Sequence, residues 1–342
     1  MLTSLRIQNF RSIRDASVKL GQVNLFIGPN NSGKSNFLKG IELAAALFTN
    51  LPTSGRAGRD NLPKHMQNTA AEREVSIIFT VTSDSLELPV TVSLTDDITS
   101  FQLQPSGEQN YISNEVRRIL RDNVIYTISP DRIRASAALK SVKSIAADTS
   151  ELVLFLFDLA QNNKTNFKRI QEDFAHCVID LVSVSTPADP NEPGKLKLKF
   201  FDQNDIGYWA EEVSEGVLYF LALLCIVHQP DPPKLLLLEE PEKGIHPRRI
   251  KEVMDFIFEL VQLRNVQIIL TSHSPYVVDH FANIPECISV FDRENGETII
   301  RNAGDIITET NTKLEAEGKK PIRYTDALGE HWVSGFLGGV PV

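Results

Sequence analysis

The period of the hydrophobic pattern changes along the chain, and each change predicts a different element. Leu5 and Ile7 alternate with Arg6 and Gln8, and Ala16, Val18 and Leu20 follow in a second alternating run. Both predict half-buried strands. Val23 to Ile27 reads as a buried strand running into a Gly- and Asn-rich turn, after which Phe37, Leu38, Ile41, Ala44, Ala45 and Phe48 recur at helical spacing. Residues 50–72 are rich in Thr, Ser, Gly, Arg and Asn and predict a mobile surface loop. Two β-rich runs lie within 74–96. Between 145 and 181 the stripes Leu152, Leu154, Phe155, Leu159 and Phe167, Ile170, Phe174, Val178 predict helices whose apolar face is core. A turn-rich loop at 187–194 precedes one alternating strand through Leu196, Leu198 and Phe200.

From residue 213 the pattern becomes helix, buried strand, helix, buried strand, the signature of a parallel α/β sheet. The expected organisation is a nucleotide-binding lobe begun by 1–49, a β-rich insertion at 50–144, a helical and strand lobe at 145–210, the return of the first lobe at 211–300 and a tail at 301–342. Repeats and long heptad runs are absent from the sequence.

Composition narrows the class. The chain of 342 residues is 42% hydrophobic and 23% charged, ordinary for a globular protein, and its net charge of -9 excludes a surface basic all over. Cys177, Cys225 and Cys287 are far apart in apolar surroundings, which predicts free thiols rather than a disulfide framework or zinc cluster. The sequence has neither an apolar run of membrane-spanning length nor a leader at Met1, so a cytoplasmic protein is expected.

Chemistry concentrates at three places. Gly28-Pro29-Asn30-Asn31-Ser32-Gly33-Lys34-Ser35 is an unbroken GxxxxGK[ST] between a strand and a helix, the setting of a phosphate-binding P-loop. Successive backbone N–H groups of such a turn cradle phosphates, Lys34 adds a point charge, Ser35 supplies a hydroxyl ligand for Mg²⁺, and the helix from Asn36 turns its positive end to the anion. Leu235 to Leu238 end in Glu239 and Glu240, at the strand end where open α/β sheets bind ligands. In a nucleotide site Glu239 belongs to the Mg²⁺ shell and Glu240 orients and deprotonates the attacking water. Val266 to Leu270 end in Thr271-Ser272-His273-Ser274-Pro275, which puts His273 in position to sense a γ-phosphate.

The order P-loop, Val213-Ser214-Glu215-Gly216, Glu239-Glu240-Pro241-Glu242, Thr271-Ser272-His273-Ser274-Pro275 resembles an ABC-type ATPase of the SMC, RecF and OLD branch. It is most similar to the stand-alone prokaryotic AAA-type ATPases related to OLD, and Leu5 to Ile13 resembles the first strand of those heads. The resemblance implies an α/β, ABC/SMC-like P-loop NTPase head with a mixed central sheet, a β-rich subdomain and an inserted helical lobe. It implies ATP hydrolysis with Mg²⁺ and a signature at Ser214 and Gly216 that contacts the γ-phosphate held by a second copy. ATP then joins two heads into a homodimer that hydrolysis releases. It further implies a role in anti-phage defence, with a separate effector protein, a nuclease or toxin, as partner.

The sequence departs from that pattern in places. Gly-Gly-Gln does not follow Ser214, which argues against a transporter and a membrane partner. Neither Gln67 nor Gln102 stands in a supported Q-loop, although Tyr126 to Arg132 falls in that neighbourhood. The stretch from Lys34 to Ser214 is too short for a long SMC arm, and that after His273 is too short for the nuclease domain of OLD proteins. The tail around Ala327 to Trp332 and Gly335 to Gly339 reads as a strap over the head or a docking element. A GTPase is rejected, because Asn163-Lys164-Thr165-Asn166 has Asn166 where guanine recognition needs Asp. Two other readings stand beside the effector gate. One is a RecF-like DNA-repair ATPase that binds DNA or RNA through Arg117, Arg118, Arg121, Arg132, Arg134, Lys140 and Lys143, which outnumber Glu115, Asp122 and Asp131. The other is an ATP-loaded scaffold that restrains a toxin or nuclease with little turnover.

Overall fold

The structure, a computed structural model, describes residues 1–50, 56–57, 75–83, 86–94, 99–103, 116, 118–120, 124–178, 180–243, 245–325 and 327–340. They form two compact units, one comprising Met1–Ile125, Lys234–Glu240 and Asn265–Val342, the other Tyr126–Pro233 and Pro241–Arg264.

The first unit contains two sheets. One is antiparallel, in the order Ile13–Lys19, Leu2–Phe10, Val75–Ser83, Leu86–Leu94, Thr99–Leu103, Arg56–Ala57. The expected alternation holds here, with Leu5, Ile7, Ile77, Phe79, Val90 and Val92 turned into the core beside Phe37, Leu38 and Ile41 of the helix Lys34–Asn50. Each such side chain removed from water contributes about 1.5–3 kcal/mol. The second sheet runs Glu297–Asn302, Ile288–Glu294, Val23–Ile27, Gln267–Thr271, Leu235–Glu239. Its inner pairs are parallel and Glu297–Asn302 is antiparallel, so the sheet is mixed. Val23–Ile27, Gln267–Thr271 and the four leucines before Glu239 are buried throughout, as strands covered on both faces require. Buried Gln267 fastens the chain start, accepting from the Leu2 N–H and donating to the Leu2 and Gly21 carbonyls.

The second unit is mainly helical. Leu152–Asn162 and Lys164–Cys177 meet at Asn163, whose Oδ1 accepts from the Asn166 N–H and caps the second helix. The helical reading of 145–181 therefore begins too early. Before Leu152 the chain turns, with Asp148 Oδ1 accepting from the N–H and hydroxyl of Ser150. The single strand expected through Leu196, Leu198 and Phe200 is also two pieces, because the chain changes partner within it. Lys195–Leu196 pairs with Ala137–Ala138, and Lys199–Phe201 pairs with Ser183–Ser185 and Gly207–Trp209. Glu215–Val227 is buried on every side, and Pro247–Arg264 lies in the same unit with Phe256 ring to ring with Phe220.

Apart from Asn50 and the strand Arg56–Ala57, the loop expected at 50–72 lies outside the described residues, as do Gln67, Glu115, Arg117, Arg121 and Asp122. Among the described residues Cys225 and Cys287 are free thiols, and no helix is long and apolar enough to cross a membrane.

Candidate functional site: a phosphate cradle with two carboxylates and a histidine

The cradle is made of backbone. Gly28 has φ +145 and Gly33 φ +109, conformations that disfavour a side chain. A Cβ on Gly28 would stand 2.1 Å from the Phe291 carbonyl oxygen, and one on Gly33 2.3 Å from Thr298 Oγ1. Asn31 between them is also left-handed, at φ +63, which Asn tolerates better than most residues. Pro29 closes the turn by accepting from the Ser32 N–H at 3.3 Å, and Gly33 accepts from the Phe37 N–H at 2.8 Å, the first turn of the helix. Asn30 is exposed at the tip of the turn.

Polar groups inside the cradle are poised for an anion. Ser32 is 1% exposed, yet its Oγ has no hydrogen-bond partner among the described residues. A buried hydroxyl left so costs about 1–3 kcal/mol, which a ligand would offset. Lys34 is buried and donates from Nζ to the carbonyls of Gly28 at 2.8 Å and Pro29 at 2.9 Å. Burial pushes its pKa down to about 8, against the pull of the Glu240 and Glu239 carboxylates. An incoming phosphate would replace those weak carbonyl acceptors with full charge.

Ser35 and Glu239 meet as expected, the Ser35 hydroxyl donating to Glu239 Oε1 at 2.5 Å. A hydroxyl and a carboxylate oxygen, both hard ligands at one point, are the donor set Mg²⁺ takes. Glu240 leaves the strand line at φ +46, a costly geometry for a non-glycine, with its N–H donating to the Thr271 carbonyl at 3.1 Å. The bend separates two sequence-adjacent acids, and Glu240 Oε1 lies 3.6 Å from His273 Nε2. Burial, then the Lys34 charge, lowers the His273 pKa while Glu240 opposes them, so the ring is neutral near pH 7. Lys34, Ser35, Glu239, Glu240 and His273 thus come together in the first unit.

Sequence reading missed the outer wall. Arg11 Nη1 donates to Asn36 Oδ1 at 3.3 Å, Asn36 Nδ2 donates to Ser12 Oγ at 2.9 Å, and Ser12 Oγ lies 3.2 Å from Thr298 Oγ1. Arg11 sits in the first hairpin at φ +54. A non-glycine forced left-handed beside a P-loop helix was the available signal, and it is invisible without coordinates.

Ser214 and Gly216 belong to the second unit. Ser214 caps the helix Glu215–Val227, its Oγ accepting from the Val217 N–H at 3.4 Å and from Arg249 Nη1 at 2.8 Å. With both acceptor positions engaged, only the O–H donor remains to address a ligand. Gly216 is buried in that helix, and a Cβ on it would meet Ser214 Oγ at 3.8 Å, an ordinary van der Waals contact. Several of the basic residues expected to meet nucleic acid also pair with acids: Arg132 with Asp148, Arg134 with Asp131 and Glu215, Lys140 with Glu151.

Three resemblances bear on this arrangement. The OLD nuclease of Thermus scotoductus is 23% identical over 339 residues, an alignment covering 82% of this chain and 60% of that protein, so the chain spans less than two thirds of that relative. An SMC head solved bound to the C-terminal winged-helix domain of ScpA has a TM-score of 0.60 at 14% identity, over 88% of this chain and 97% of the other. The SMC head domain of Thermotoga maritima has a TM-score of 0.53 at 14% identity, over 88% and 98%. The fold is that of an ABC/SMC-type ATPase head with a mixed sheet. Residues 23–279, three quarters of the chain and the whole cradle among them, match one family model, and the chain belongs to that family, described as "AAA domain, putative AbiEii toxin, Type IV TA system".

Proposed function

We propose that the chain is a Mg²⁺-dependent ATPase whose nucleotide state switches it between separate and paired heads. The observation that supports this best is the convergence of Lys34, Ser35, Glu239, Glu240 and His273 on a backbone cradle containing the unpaired Ser32 hydroxyl. Gly28 to Ser35 and Asn36 would hold the phosphates, and Ser35 with Glu239 would hold Mg²⁺, which neutralises charge on the β- and γ-phosphates when bound. Glu240 accepts a proton from water as its oxygen bonds to the γ-phosphorus. The bond from that phosphorus to the bridging oxygen breaks, giving ADP and phosphate. His273, neutral and with Nε2 3.6 Å from Glu240 Oε1, has a single N–H to give and donates it to the γ-phosphate.

Ser214 and Gly216 of one copy serve the triphosphate held by another, so ATP is shared between two heads and hydrolysis parts them. The output is a separate effector, a nuclease or toxin, restrained or released by pairing in a prokaryotic anti-phage system. This output rests on likeness to OLD nuclease and to the toxin–antitoxin family. Glu240→Gln is expected to accumulate an ATP-bound dimer on light scattering, and Lys34→Ala to weaken nucleotide binding by about 100-fold or more. A Glu240→Gln protein that binds ATP yet stays monomeric at saturation would overturn the pairing.

A further inference from the structure

The segment Leu328 to Val340 meets the short helix that follows His273 at one end and the backbone of Gly28 at the other. Its helix Leu328–Val333 packs on Pro275–Asp279, which begins two residues after His273. There the Gly329 N–H donates to Asp279 Oδ1 at 2.8 Å, and the backbones are so close that a Cβ on Gly329 would stand 2.2 Å from the Pro275 carbonyl oxygen. At the far end the Gly339 N–H donates to Asp292 Oδ2 at 3.2 Å. A Cβ on Gly339 would lie 2.9 Å from the Phe291 carbonyl oxygen and 3.5 Å from Gly28 Cα. That carbonyl is the atom against which Gly28 itself is pressed. Between these ends Trp332 and Leu337 are buried.

The Phe291 carbonyl oxygen therefore crowds the bare face of both Gly28 of the cradle and Gly339 of the segment, and a Cβ on Gly339 would also stand 2.7 Å from Val290 Cγ1. A packed interior transmits such a displacement instead of absorbing it. At the other end, a shift of the Pro275 carbonyl moves the turn that aims His273. We infer that Gly339 and Gly329 are positioning residues of the nucleotide site, Gly339 setting the cradle at Gly28 and Gly329 setting the His273 turn. Residues 328–340 form a strap that reads nucleotide occupancy at one end and γ-phosphate state at the other. The inference rests on the ATPase reading above.

The test separates the two ends. Gly339→Ala is expected to weaken Mg-ATP binding about tenfold, measured with a fluorescent ATP analogue, while kcat at saturation stays within about twofold. Gly329→Ala is expected to leave that affinity within about twofold and lower kcat about tenfold. Loose packing without positioning would instead move both parameters together with Tm, and that result, or no change in either variant, overturns the strap. Trp332 provides a check that needs no strap variant. In a Trp209→Phe protein its emission is expected to shift when Mg-ATP is added and to return on exchange for ADP, and an unresponsive Trp332 overturns the strap too. If the unaltered chain binds no ATP, the ATPase reading fails. If it binds and hydrolyses ATP while both glycine variants match it, only the strap fails.

Discussion

At Gly28 and Gly33 the first unit builds its site from main chain, with positive φ and neighbouring atoms within 2.3 Å of where a Cβ would sit. At Ser214 the second unit builds from side chains, a hydroxyl at a helix start held by Arg249, beside a buried Gly216 where a Cβ would meet only an ordinary contact at 3.8 Å. The two sites are therefore written into the sequence with unequal strictness. A backbone cradle fixes glycine at stated intervals, because another residue would require the sheet behind it to move. A side-chain surface needs a small hydroxyl residue, a cap and a nearby cation, which many sequences supply. The first motif therefore identifies itself, whereas Ser-x-Gly gains meaning only from its place before a buried helix.

That contrast can be broken by substitution. The largest effect is expected at Gly28→Ala, where a methyl must displace the Phe291 carbonyl. A loss of about 2–4 kcal/mol of stability and of measurable nucleotide binding should appear in thermal melts and titrations. A mild effect there would mean that the cradle is soft. Next comes pH. With the Lys34 pKa at about 8 in the free protein, an arriving phosphate raises it, so binding above that pH requires proton uptake. Affinity for ATP should fall about tenfold per pH unit above pH 8, up to the pKa of the complex, and isothermal titration in buffers of different ionisation heat would detect the proton. The same shift costs stability while the buried ammonium is charged, a cost present below pH 8 and relieved as pH rises towards 10.5. A flat profile would place the Lys34 charge elsewhere.

Arg249→Ala tests the second unit. Removing one hydrogen bond worth about 1 kcal/mol from Ser214 should weaken ATP-driven pairing about fivefold while leaving ATP binding to a single head unchanged. A change in single-head binding would erase the distinction between the two sites. The smallest effect sharpens the contrast by its sign. Gly216 lies buried in a helix where a methyl would sit at ordinary contact distance, so Gly216→Ala should raise stability by about 0.5–1 kcal/mol, opposite to Gly28→Ala. Weakened pairing in that more stable variant would show that the bare backbone is used for contact.

The linear sequence was informative wherever function needed consecutive residues. The P-loop, the acidic end of Leu235–Glu239 and His273 after Gln267–Thr271 each join a buried strand to the turn beyond it, and burial of a strand is written in its side chains. The break at Asn163 and the partner change between Leu196 and Lys199 were not legible, because capping and strand exchange depend on groups that arrive from elsewhere.

By itself the chain determined the class of fold, and it set the candidate P-loop, the two acids and the histidine at the ends of buried strands, since these follow from local pattern and residue chemistry. Tertiary structure alone decided that Glu240 bends away from Glu239 towards His273 and that Ser12 and Thr298 wall the P-loop. It also placed Gly339 behind Gly28. Those are contacts between segments distant in the chain, set by how sheets and helices close-pack, and no local periodicity encodes which backbone will lie against which.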